Sequence, residues 1–107
     1  MSLDVSLYAT RIVAVFDANL THNLVPMARA AGIYECLWRP EEIGIAKAAQ
    51  LIEPLTAGLE RLQSTPDQFK AHNPANGWGD YDGLVRVVVD YLAACKENPE
   101  ATVEARR

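Results

Sequence analysis

The chain has 107 residues, 50% of them hydrophobic and 22% charged, with a formal net charge of -4 from 10 Lys+Arg against 14 Asp+Glu. That length predicts one domain, and those fractions lie near globular averages, which excludes collagen-like, disordered and disulfide-scaffold classes. The mild acidity argues against nucleic acid or an anionic membrane surface as the partner of the chain as a whole.

The chain starts with two predicted strands. Leu3, Val5 and Leu7 alternate with Asp4, Ser6 and Tyr8, the period of a half-buried strand. After a connection at Ala9-Thr10-Arg11, the β-branched and aromatic run Ile12 to Phe16 predicts a second strand, so the first seventeen residues read as a hairpin.

Beyond Asp17 the period becomes helical. Leu24, Met27, Ala28 and Ala31 share one face, Thr21 or Asn23 is placed to cap the helix start, and Pro26 falls in the first turn. Gly32 ends that helix, and a short turn over Ile33 to Trp38 stops at Arg39-Pro40. Ala48, Ile52, Leu55, Leu59 and Leu62 then form the stripe of a long helix, with a kink or a start expected near Pro54. Thr65-Pro66-Asp67-Gln68 has the form of a capping box opening a short helix through Ala71, with Phe69 turned inward.

Residues 72 to 83 are turn formers at nearly every step. Asp80 is placed to cap a last helix whose inner face is Tyr81, Leu84, Val85, Val88, Leu92 and Cys95. Asn98-Pro99 stops it, and Ala101, Val103 and Ala105 alternate with Thr102, Glu104 and Arg106 as a final strand.

The order strand, strand, helices, strand predicts an α+β domain spanning residues 1 to 107. A small three-stranded, mainly antiparallel sheet, made of the N-terminal hairpin plus the C-terminal strand, carries the helices on one face. Such a sheet has two edges, and pairing through an edge, as in a homodimer, would hide backbone groups. The first residues carry neither a basic n-region nor a long apolar run, so no leader or membrane anchor is expected and the predicted location is the cytoplasm. In that reducing setting Cys36 and Cys95, far apart and without a CxxC pattern, read as buried thiols.

Two segments exceed generic patterning. One runs from Asn19 to Met27 and continues through Ala31-Gly-Ile-Tyr34 and Leu37-Trp38-Arg39-Pro40; the other runs from Asn73 to Leu84 and is followed by Leu92-Ala-Ala-Cys95. The motifs Asn-x-Thr-His-Asn and Asn-Pro-x-Asn-Gly-Trp-Gly within them resemble a family of small uncharacterised proteins of bacteriophages, notably actinobacterial phages, and of bacteria. The resemblance spans most of the chain. It implies an origin, with the host cytoplasm as setting, and no activity, so it supplies no catalytic residues.

Each motif has two readings. Asn19, Thr21, His22 and Asn23 cluster polar groups between a strand and a helix, where ligand pockets often form, and His22 is of the type that serves as base or metal ligand. Alternatively Thr21 and Asn23 cap the helix, Asn19 holds a turn, and His22 bonds a carbonyl. In the second segment the glycines permit close approach of a ligand and Trp78 can stack on a flat group, with Asn73, Asn76 and Asp80 beside it. Alternatively Trp78 pins the loop to the core while Asn73 and Asn76 satisfy its backbone.

No metal is expected, since His22, His72, Cys36 and Cys95 lack metal-ligand spacing and Asp80-Tyr81-Asp82-Gly83 lacks the remaining carboxylates of a calcium loop. No cofactor is expected either: Gly77-Trp78-Gly79 is too short for a phosphate loop, and no nucleophile elbow occurs. The expected function is therefore a non-catalytic accessory or protein-interaction module, whose partner is a second copy or a phage or host protein. The alternative is a small-ligand-binding protein or small enzyme with its pocket between segments 19 to 23 and 73 to 82.

Overall fold

A computed structural model describes residues 1–9 and 13–107. β1 (Ser2–Tyr8), β2 (Ala14–Thr21) and β3 (Thr102–Arg106) form an antiparallel sheet in the order β2-β1-β3. On its inner face Leu3, Val5 and Leu7 lie opposite Leu20, Ala18 and Phe16 of β2, and Val5 and Leu7 lie opposite Ala105 and Val103 of β3. A β-bulge between Leu7 and Tyr8 shifts the hairpin register near its turn. The helices α1 (Val25–Ala30), α2 (Tyr34–Trp38), α3 (Ala49–Ser64), α4 (Pro66–Lys70) and α5 (Tyr81–Glu97) build the rest of the core. This is the expected α+β arrangement.

The amphipathic spacing of α3 and α5 decides what they bury. α5 turns Tyr81, Leu84, Val88, Tyr91, Leu92 and Cys95 inward, and the Tyr91 ring stacks on Phe16 of β2 with centroids 5.2 Å apart. α3 runs through Pro54 rather than starting there, and its buried residues are Leu51, Leu55, Gly58 and Leu62, with Ile52 and Leu59 half-buried on its flank. Gly58 is required by proximity, since a β-carbon there would stand 2.1 Å from the Ile33 Cγ2. Thr65 precedes α4, but its side chain makes no cap bond; its hydroxyl donates to the Arg61 carbonyl at 3.5 Å, so the capping box is absent.

β2 is longer than expected. The expected second strand began at Ile12, which lies outside the described residues, and the helical period after Asp17 begins only past Thr21. Phe16, Ala18 and Leu20 turn inward while Asp17, Asn19 and Thr21 point outward, so polar residues that resemble a helix start belong to the open face of a strand.

That open face carries a side-chain ladder. The Ser6 hydroxyl, fully buried, donates to Asp17 of β2 and accepts from Arg106 of β3 at 3.0 Å. The outer edge of β3 is covered where Val103 N–H donates to the Ala46 carbonyl at 2.9 Å and Ala48 N–H donates to the Ala101 carbonyl at 2.9 Å. Among the described residues that cover reaches only the start of β3, so the sheet keeps the two expected edges, β2 and the part of β3 past Val103. Both cysteines are buried free thiols. Among the described residues no helix is long and apolar enough to cross a membrane.

Candidate functional site

Strand pairing sets one wall of a cleft. Ser2 lies opposite Thr21, and Asn19 reaches across β1 to donate to the Ser2 hydroxyl at 2.9 Å and to the Asp4 carboxylate at 2.8 Å. The chain then turns through a 3-10 segment, His22–Leu24, at whose start Thr21 Oγ1 accepts from the Asn23 N–H at 3.3 Å. Thr21 thus caps the 3-10 turn and Asn23 lies inside it, while α1, with Leu24 at its N-cap, has no side-chain cap, so neither expected residue caps the helix itself.

The second wall is the loop between α4 and α5, ordered by its own side chains. Asn73 Oδ1 accepts from the Tyr81 N–H at 2.8 Å, Asn76 Oδ1 accepts from the Trp78 N–H at 2.9 Å, and Asp80 Oδ1 caps α5 by accepting from the Gly83 N–H at 2.8 Å. Gly79, at φ +92°, fits against the 3-10 segment so closely that a β-carbon would stand 2.6 Å from the Thr21 Cγ2 and 3.1 Å from the Leu24 Cγ. The two polar segments therefore meet in space.

Between them lies a cleft of about 600 Å³ lined by Met1, Ser2, Asn19, Thr21, His22, Asn23, Asn76 and Trp78. Of the residues singled out in the sequence, Asn19, Thr21, His22, Asn23, Asn76 and Trp78 line it. Asn73 and Asp80 do not; their carbonyl and carboxylate oxygens are spent on backbone N–H groups that hold the loop and start α5. Ser2 was missed, and only the hairpin register, which sets it opposite Thr21, could have revealed it.

Trp78 corrects the anchor reading. Its side chain is 70% exposed, and Gly79 rather than the indole fastens the loop to the fold. His22 makes no carbonyl bond through Nε2, which is buried without a partner among the described residues. Its ring instead tilts against Trp38 with centroids 6.2 Å apart, and Trp38 stacks on Tyr34 at 5.8 Å. Arg39 Nε donates to the Tyr34 hydroxyl at 2.9 Å, which holds that phenol below its usual pKa, and the Arg29 guanidinium lies 4.4 Å from the Tyr34 ring centroid. His22 is thus backed by an aromatic stack, with no general-acid partner at its Nε2.

Among the described residues no group of three or more His, Cys, Asp or Glu side chains comes together to hold a metal ion. Comparison with known proteins finds no matching family model, curated protein or solved structure.

Proposed function

We propose that the chain is a small binding protein that takes a polar ligand in the cleft between residues 19–23 and 76–78, without catalysing a reaction. The observation that carries this reading is Trp78. A large apolar ring 70% exposed forgoes the transfer free energy that burial would supply, yet its loop is fixed by Asn73, Asn76 and Gly79. A ring held by an ordered loop in the lining of a cleft is placed to stack on a ligand there. The accessory role and cytoplasmic setting implied by the resemblance to phage proteins belong to the same proposal.

Backbone amide shifts in an NMR titration with a mixture of small polar fragments test the reading. Shifts concentrated on residues 19–23 and 76–78, lost in Trp78→Ala with the fold intact, are expected. Shifts scattered elsewhere, or retained in Trp78→Ala, would refute it.

A second reading, association through β2, draws on the direction of its backbone groups. Because Val103 N–H points to Ala46, Leu7 pairs its backbone with Phe16 and Ser6 with Glu104, so the N–H and C=O groups of Asp17 and Asn19 face outward. Pairing two β2 strands about Ala18 would set each Asp17 opposite an Asn19 rather than another carboxylate. Sedimentation across a range of concentrations decides it; a strict monomer ends this reading and leaves the cleft untouched.

A further inference from the structure

We infer that the ligand of the cleft is a neutral saccharide, with one apolar ring face laid on Trp78 and its hydroxyls bonded by the facing amides. The inference rests on the cleft reading above and adds the chemical class.

The first ground is charge. Among the described residues no Lys, Arg, Asp or Glu side chain lines the cleft, whose ionisable groups are the Met1 α-amino group and the His22 imidazole; Asp4 and Asp80 lie outside the lining, each bonded to a neighbour. An ammonium ligand would give up its hydration here with no carboxylate in the lining to replace it, and a phosphate or carboxylate would find one α-amino group and no guanidinium or lysine to pair with.

The second ground is which polar atoms are left over. Asn19 spends its amide N–H groups on Ser2 and Asp4, so its carbonyl oxygen remains as an acceptor. Asn76 is the reverse: its oxygen is spent on the Trp78 N–H, and its NH2 remains as a donor. Thr21 and Ser2 each accept a bond, from Asn23 N–H and Asn19, which leaves their hydroxyl hydrogens to donate. The lining thus leaves donors on Ser2, Thr21 and Asn76 and an acceptor on Asn19. Adjacent hydroxyls, each able to donate and accept, match such a lining; a ligand edge of donors only or acceptors only does not.

The third ground is the stacking surface. Trp78 is the one aromatic side chain among the lining residues besides His22, and His22 lies against Trp38 on the other side. A flat base is characteristically held between two apolar or aromatic faces. A sugar needs one, because one face presents C–H groups and its rim presents hydroxyls. The volume of about 600 Å³ accommodates a ligand of disaccharide size.

The test is an NMR titration of the whole protein, following the Trp78 indole N–H and the backbone amides of residues 19–23 and 76–78. The probes are glucose, N-acetylglucosamine, cellobiose and chitobiose, with adenosine and inorganic phosphate as the contrasting arms. At least one saccharide should shift those signals saturably. Trp78→Ala should weaken that binding by about tenfold or more while leaving the melting temperature unchanged, and Trp78→Phe should restore part of it. Asn76→Asp keeps an acceptor for the Trp78 N–H but removes the free donor, so it should weaken the saccharide with the loop amides unmoved. Adenosine or phosphate shifting these residues while the sugars do not overturns the saccharide class and leaves the cleft reading standing. Silence of these residues toward every probe overturns both.

Discussion

Gly79 and Thr21 touch through a contact that only a hydrogen side chain permits: a β-carbon on Gly79 would stand 2.6 Å from the Thr21 Cγ2. Thr21 is the last residue of β2 and the cap of the turn that follows, so the contact fixes the loop carrying Trp78 to the part of the hairpin carrying Asn19. The cleft is as rigid as that joint. Everything proposed of its chemistry depends on the two walls keeping their spacing.

Gly79→Ala should therefore unseat the loop. The substitution meets both a steric clash and a φ of +92°, a region that L residues enter at a cost of about 1–3 kcal/mol. Urea unfolding should report a loss of about that size. Thr21→Ser removes the clashing Cγ2, so in a double-mutant cycle Gly79→Ala should cost less in its presence, with a coupling of about 0.5 kcal/mol or more. Strict additivity would show that the two residues are not pressed together.

A second glycine makes a sharper steric test, because its backbone is ordinary helix. In Gly58→Ala the new methyl would meet the Ile33 Cγ2 at 2.1 Å, forcing α3 away from the chain just before α2. Overpacking of that kind costs about 1–3 kcal/mol, against the roughly 1 kcal/mol that alanine should gain from helix propensity, so the net effect should be a loss. Combining it with Ile33→Ala should recover part of the loss in a thermal melt; a stabilised single variant would contradict the close approach.

Much of the fold was legible because periodicity carried it. β1 and α5 expose an alternation of two and a spacing of three and four that tertiary contacts only reinforce. β2 was half lost because Asp17, Asn19 and Thr21 look the same whether they precede a helix or face outward from a strand; their partners, Ser6, Asp4 and Ser2, lie on the other arm of the hairpin. The partial cover at the start of β3 was invisible for a related reason, since the bonds of Val103 to Ala46 and of Ala48 to Ala101 join segments remote in sequence. At the site the residue types pointed to the right two segments, but hydrogen bonding divided them. Asn73 and Asn76 sit in one loop with the same composition around them, and only the second lines the cleft.

Ser6→Ala should weaken the sheet without disturbing the core face. The hydroxyl links Asp17 to Arg106 across the central strand, and it is fully buried beneath them. Its removal leaves two charged groups that can turn to solvent, so the expected cost is that of a hydrogen bond, about 0.5–1.5 kcal/mol by urea unfolding. Asp17→Asn should cost less, because the amide oxygen can still accept. A larger loss for Asp17→Asn than for Ser6→Ala would mean that the charge, and not the bridge, holds the three strands.

Alkaline pH should unfold the protein through its buried thiols. Burial pushes the Cys36 thiol from 9.0 up to about 12, and the Cys36 Sγ–H donates to the Ile33 carbonyl at 3.3 Å. Burial likewise raises Cys95 from 9.0 to about 11, and it raises the Tyr91 phenol well above its usual value of 10.0. Above pH 9.0 the unfolded chain therefore sheds thiol protons that the folded chain keeps. With fewer protons bound in the unfolded state, stability falls as pH rises; the thiol contribution is intact below the unfolded value and is lost on the way to the folded ones. The limiting slope is about 1.4 kcal/mol per pH unit for each thiol. Urea unfolding at a series of pH values from about 8 to about 11 should show that decline. Cys36→Ala lowers stability at every pH by opening a cavity, so its diagnostic is the slope, which should fall by about half between the unfolded thiol and phenol values, where Cys95 still titrates, while the tyrosine-driven decline persists beyond them. A slope unchanged by the substitution would place the titrating group elsewhere.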